Sequence, residues 1–154
     1  MKLSKNLSLA EVIKSNTAIK NGIDNNPTSE HLENLKFIAV NGFQLIREFF
    51  GKPIFVSSGY RSEALNDKIG GSKTSQHSTG QALDLDADVY GGVTNAELFD
   101  FICAKVDFDQ LIWEFGSHSN PDWVHFSMRK DGKNRGQILR ASRISGKVIY
   151  SSYE

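Results

Sequence analysis

The chain has little cysteine, little histidine, no surplus of either charge and no long apolar run. A single cysteine, Cys103, among 154 residues excludes an intramolecular disulfide. Its setting, Leu98-Phe99-Asp100-Phe101-Ile102-Cys103-Ala104, predicts a small buried core residue. The 18 Lys and Arg balance 18 Asp and Glu, which leaves no basic footprint for nucleic acid and no polybasic patch for a membrane. No stretch approaches a transmembrane span. Met1-Lys2-Leu3-Ser4-Lys5-Asn6-Leu7-Ser8 lacks the apolar segment of a secretory signal, so synthesis in the cytoplasm without a signal peptide is expected. No repeat, low-complexity tract or interdomain linker breaks the chain, and its length suits one domain with a real core.

The punctuation of the chain predicts its elements. Ser8-Leu9-Ala10-Glu11 has capping-box spacing and predicts a short helix to about Thr17. A long helix is expected from about Ser29 to Phe50, with Leu32, Leu35, Ile38, Ala39, Phe43, Ile46 and Phe49 as its apolar stripe and Gly51 then Pro53 as its stop. Ser62 is positioned to cap a short helix ending at Gly70-Gly71, and Thr94 with Glu97 forms a second capping box for a helix to about Val106. Strands are predicted near Ile54–Ser57, Gln81–Asp86, Gln110–Glu114, Trp123–Met128 and Gln137–Ala141, with a hairpin-like loop at Asp131–Gly136 and an edge strand in the tail. This order reads as an α+β fold: a small, mostly antiparallel sheet with helices packed on one side. A helical N-terminal part, residues 1–52, precedes the stretch 53–128.

Only four histidines are present: His31, His77, His118 and His125. His77 and Asp84 lie seven residues apart in Ser75-Gln76-His77-Ser78-Thr79-Gly80-Gln81-Ala82-Leu83-Asp84. Gly80 allows a sharp turn, so that His77 folds back towards Asp84. Leu83 and Leu85 would face the core, with Ala82, Asp84 and Asp86 on the other side. A neutral imidazole and a carboxylate are ordinary zinc ligands, although taken alone the pair reads as a polar turn leading into an amphipathic strand. His125, in Trp123-Val124-His125-Phe126-Ser127, is the best third ligand; His118, in a loop, is the runner-up, and His31 reads as a solvated or capping residue. Asp122 stands three residues before His125, after the turn signal Asn120-Pro121, and would reach the site only from that turn.

Ser-x-His-x-x-Gly-x-Ala-x-Asp followed by Asp-Trp-x-His resembles the D-Ala-D-Ala metallopeptidases, whose superfamily includes lysostaphin-type enzymes and the hedgehog signalling domain. Ser57-Ser58-Gly59-Tyr60-Arg61-Ser62 and Asp109-Gln110-Leu111-Ile112-Trp113-Glu114-Phe115 extend the likeness to compact, often phage-associated members, from about Pro53 to Ser127. The resemblance implies a hedgehog/D-Ala-D-Ala-peptidase-like fold and zinc (Zn²⁺) held by His77, Asp84 and His125. It implies Asp122 as general base, although many relatives carry Glu there, and Arg61 as the cation steadying the oxyanion. Ser75 would bind substrate or hold the ligand loop, and Gln76 and Ser57 would hydrogen-bond the substrate backbone. Glu114 either orients a ligand imidazole or serves as an alternative base. The implied function is hydrolysis of bacterial peptidoglycan stem peptides, as a carboxypeptidase or an endolysin-like endopeptidase, by a phage-type protein that reaches the wall after holin action or lysis. The other reading is a non-catalytic zinc-containing binding or virion structural module.

Overall fold

The computed structural model describes residues 1–153. A ribbon of β1 (Lys2–Ser4) and β2 (Leu7–Ser8) leads into α1 (Leu9–Ile13). The capping box forms: Ser8 Oγ accepts from Glu11 N, and Glu11 Oε2 accepts from Ser8 N at 2.8 Å. The expected run to Thr17 is corrected to two helices. Lys14 is extended, and the Ser15 side chain accepts from Ala18 N to open α2 (Asn16–Asn21). A serine hydroxyl that takes a backbone N–H in this way offers the chain an alternative to continued helix.

The long helix is present but not uniform. α3 (Ser29–Ile38), capped by Thr28, passes through a π-helical turn (Ala39–Phe43) into α4 (Gln44–Phe50), which Gly51 closes at φ 65°. Gly42 lies in the π turn, where a Cβ would sit 2.7 Å from the Phe126 ring and 2.8 Å from Met128 Sδ, so its lack of a side chain lets the helix close onto the sheet. Leu35, Ile38, Ala39, Phe43 and Ile46 are buried as expected, and Leu32 is partly so. Phe49 departs from the stripe at 66% exposure and stacks on Phe101, while Phe50 takes the inward position of the last turn. At 3.6 residues per turn either position can face inward after Ile46.

Six strands form the main sheet in the order β3-β4-β6-β5-β7-β8: β3 (Phe55–Ser58), β4 (Ala82–Asp86), β5 (Gln110–Glu114), β6 (Trp123–Ser127), β7 (Gln137–Ile144) and β8 (Lys147–Ser152). Every pair is antiparallel except β5–β7. Because β5 lies between β6 and β7, Asp131–Gly136 is not a hairpin but a connection across the end of β5. The hairpin is instead Ser145-Gly146, both at positive φ (51° and 78°), joining β7 to the edge strand β8. α5 (Glu63–Lys68) is capped by Ser62, and α6 (Asn95–Lys105) by the Thr94–Glu97 box.

Leu83, Leu85, Leu111, Trp113, Val124 and Phe126 pack with Leu35, Ile38 and Phe43 and with Leu98, Phe99 and Ile102 of α6 in one core. The fold is α+β, with these helices on one face of the sheet. Cys103 is corrected to an exposed residue: α6 buries Asn95, Leu98, Phe99 and Ile102, and the next position turns to solvent. Among the described residues no helix is long and apolar enough to cross a membrane.

Candidate metal centre

The sheet register determines which side chains meet. Asp84 of β4 is paired with His125 of β6, which is paired with Ile112 of β5. Directly paired residues share a face, so Asp84 and His125 point together, away from the core of leucines. His77 arrives from a 3₁₀ turn (Gln76–Thr79) just before β4, capped by Ser75, whose Oγ accepts from His77 N, and closed by Gly80 at φ 74°. His77, Asp84 and His125 are all buried.

His77 Nε2 lies 3.2 Å and His125 Nδ1 2.9 Å from the same oxygen, Asp84 Oδ1. The three ligand atoms fall within 4.8 Å of one another. His77 Nδ1 donates to the Gly59 carbonyl at 2.6 Å, which fixes that proton on Nδ1 and turns the Nε2 lone pair towards Asp84. Facing lone pairs on a neutral imidazole and a carboxylate repel unless a proton or a cation lies between them. The donor set therefore fits a metal ion, and these residue types suit a first-row divalent one. Burial raises the Asp84 pKa, but when no ion is bound and the imidazoles are protonated instead, the charge of His77 and hydrogen bonds from His125 and His77 outweigh it and hold the carboxyl far below its ordinary value.

The other expected site residues divide into those beside this cluster and those engaged elsewhere. Arg61 donates from Nη2 to Asp84 Oδ2 at 3.3 Å and from Nε to Ser58 Oγ at 3.0 Å, while its own N–H donates to the His77 carbonyl. Ser57 is exposed and its hydroxyl donates to the Asp84 carbonyl. Ser75 caps the turn that carries His77. Gln76 points elsewhere: its amide donates to Asp109 Oδ2, which is also gripped by Arg135. His118 is exposed in the β5–β6 turn, and His31 bonds the Tyr60 hydroxyl.

The two carboxylates weighed as bases have different surroundings. Asp122 is exposed, and its side chain makes no hydrogen bond among the described residues; its carbonyl accepts from Asn95 Nδ2. Glu114 is 7% exposed and lies on the face of β5 that carries Ile112, next to His125. Burial, and then the charge of Asp84, raise its pKa from 4.5 to about 7, against the lowering fields of His125, Arg61 and Arg143.

Residues 5–127 match the model of the family described as Peptidase M15. The chain belongs to this family, the D-Ala-D-Ala metallopeptidases. A search of curated proteins finds no match. The protein is thus a metal-dependent peptidase acting on a peptide-containing substrate. The M15 match ends at Ser127, so β7 and β8 lie beyond it.

Several residues of this M15 peptidase shape the centre without any role that the motifs give them. Gly59 supplies the carbonyl for His77. Buried Asn25 ties Ile13 O, Tyr60 O and Ser62 N around the Arg61 segment. Asn95, fully buried, bonds Ala87 N at the end of β4 and the Pro121 and Asp122 carbonyls before β6, so it joins the strands that carry Asp84 and His125. Tyr150 stands across Ala141 from Glu114, and burial followed by the charges of Glu114 and Asp84 raises its pKa. Asparagines and a tail tyrosine give no local signal; only strand pairing and packing reveal them.

Proposed function

We propose that this chain is a zinc peptidase that hydrolyses stem peptides of bacterial peptidoglycan, with His77, Asp84 and His125 as the zinc ligands. The observation that carries the reading is the convergence of three buried lone-pair donors on one point, with Arg61 on the outer oxygen of Asp84. Zinc in such a set supplies a Lewis acid for the scissile carbonyl and makes water a nucleophile near neutral pH. Glu114, rather than Asp122, takes the proton of the attacking water and returns it to the leaving amine; its burial on the face of β5 next to His125 favours a carboxyl that can hold a proton between the two tasks. Arg61 places a fixed cation beside the developing oxyanion. Ser75 keeps His77 in place, Ser57 braces the backbone of Asp84, and Gln76 anchors the ligand turn through Asp109.

The test is hydrolysis of purified pentapeptide muropeptides by the zinc-loaded chain, with products identified by mass. Release of free D-Ala marks a carboxypeptidase, and larger fragments mark an endopeptidase. Absence of both across several wall chemistries, with stoichiometric zinc bound, removes the peptidoglycan reading.

A further inference from the structure

Next to Glu114 the sheet is stepped. β5 ends at Glu114, paired with Ala141, while β7 runs on to Ile144 beside β8 alone. The chain leaves β5 through Phe115, a non-glycine residue at φ 56°, and returns by Gly116–Asp122 to β6. Between this turn and the overhang of β7 lies a cleft of about 460 Å³. Its charged walls are Arg140, Arg143 and Asp122, with His118 at the rim-side turn. Arg143 is two residues beyond Ala141, so it shares the face of the sheet that carries Glu114. Its guanidinium lies 4.3 Å over the Phe115 ring, which orients the group without neutralising it. Arg140 is likewise laid over aromatic rings, 4.9 Å from Trp113 and 5.0 Å from Tyr153. Among the described residues neither arginine forms an ion pair with a carboxylate. Both lie beyond the residues that match the family, so the family match assigns them nothing.

We propose that this cleft is a carboxylate subsite, in which Arg143 binds the free C-terminal carboxylate of the peptide and Arg140 adds positive charge from the opposite face of β7. The inference rests on the peptidase reading above and narrows it to substrates cut near a free C-terminus. A guanidinium held by an aromatic face and free of a partner suits a planar carboxylate. The lone acid on the wall, Asp122, is outnumbered by the two arginines.

The test titrates the zinc-loaded full chain, and its Arg143→Ala and Arg143→Lys variants, with N-acetyl-D-Ala-D-Ala and with the same peptide amidated at its C-terminus. Binding is read from NMR shifts and hydrolysis from product mass. The acid should bind wild type about tenfold more tightly than the amide, the scale of a charge-assisted contact. That preference should vanish in Arg143→Ala, survive in part in Arg143→Lys, and show in KM more than in kcat. Equal binding of acid and amide to wild type, or a preference that survives Arg143→Ala, overturns the subsite. Hydrolysis of both peptides with equal KM overturns it too, yet leaves the peptidase reading standing. Acid-selective binding lost in Arg143→Ala, without hydrolysis of any wall peptide, supports the subsite and removes the peptidoglycan reading instead.

Discussion

Asp84 and His125 face each other across the β4–β6 pair, and Asp84 Oδ1 lies 2.9 Å from His125 Nδ1. Backbone pairing sets this approach, so the two groups are brought together before any metal is bound. His77 joins them from a separate turn, and Gly59, on the far side of its ring, dictates which nitrogen is free. A centre assembled from three segments is linked to folding, because an ion that holds them together stabilises the folded chain over the unfolded one.

One zinc per chain is therefore expected, by metal analysis, in the wild type and in His118→Ala. His77→Ala and His125→Ala should each lose stoichiometric zinc. Free zinc at a hundredfold over its Kd should stabilise the wild type by about 2.7 kcal/mol and leave those two variants unmoved. Retention of zinc by His125→Ala, with its loss in His118→Ala, would place the third ligand in the β5–β6 turn.

The choice of base separates two variants. Glu114→Gln should keep zinc and the fold and lose turnover by at least about a hundredfold, the usual contribution of a positioned base. Asp122→Asn should stay near wild-type rates, since its side chain is exposed and unbonded. The reverse pattern in steady-state kinetics would return the role to Asp122.

How the sequence conveyed this arrangement differs from residue to residue. Ser8, Ser62 and Thr94 cap helices through contacts within three residues, so their signals are local and legible. The strands Gln110–Glu114 and Trp123–Ser127 show their β-rich composition in the same direct way. The π turn at Ala39–Phe43 is not legible, because what occupies the space beside Gly42 is Phe126 and Met128, far along the chain. Gln76 looks free to meet a substrate until the fold brings Asp109 within 2.9 Å of its amide. The sequence favours Asp122 over Glu114 as the base, because Asp122 stands in the motif with His125; only the β5–β6 register puts Glu114 on the buried face.

Glu114 also predicts a dependence of stability on pH in the metal-free chain. Its pKa is higher in the folded state, about 7, than the ordinary 4.5, so between those values the folded chain holds the proton more firmly. The stabilisation is full below about pH 4.5 and is lost as pH rises through 7, by about 3 kcal/mol at most. Urea unfolding across this range should show wild type falling relative to Glu114→Gln. A zinc ion beside Asp84 offsets the second cause of the shift, so the slope should shrink in the loaded chain. A wild type that instead gains stability over Glu114→Gln from pH 4.5 to 7 would mean that Glu114 is not held in a protonating environment.

Gly59 gives the most demanding test of the proposed centre, because it would act on a metal through backbone alone. Its carbonyl accepts from His77 Nδ1, and a Cβ placed on it would lie 2.4 Å from the Val12 carbonyl oxygen and 2.8 Å from Val12 Cα. These are backbone atoms of α1, and the neighbouring Tyr60 N–H donates to that same Val12 carbonyl. Gly59→Ala must therefore push the segment away from α1 and carry the His77 acceptor with it. Loss of such an outer partner typically costs ten- to hundredfold in metal affinity, and zinc competition should show about that loss. Val12→Ala, which leaves the Val12 backbone in place, should lower stability by roughly 1–3 kcal/mol through lost core packing with little change in zinc affinity once folded. Equal zinc affinity in Gly59→Ala and wild type would show that His77 is oriented by something other than the Gly59 carbonyl.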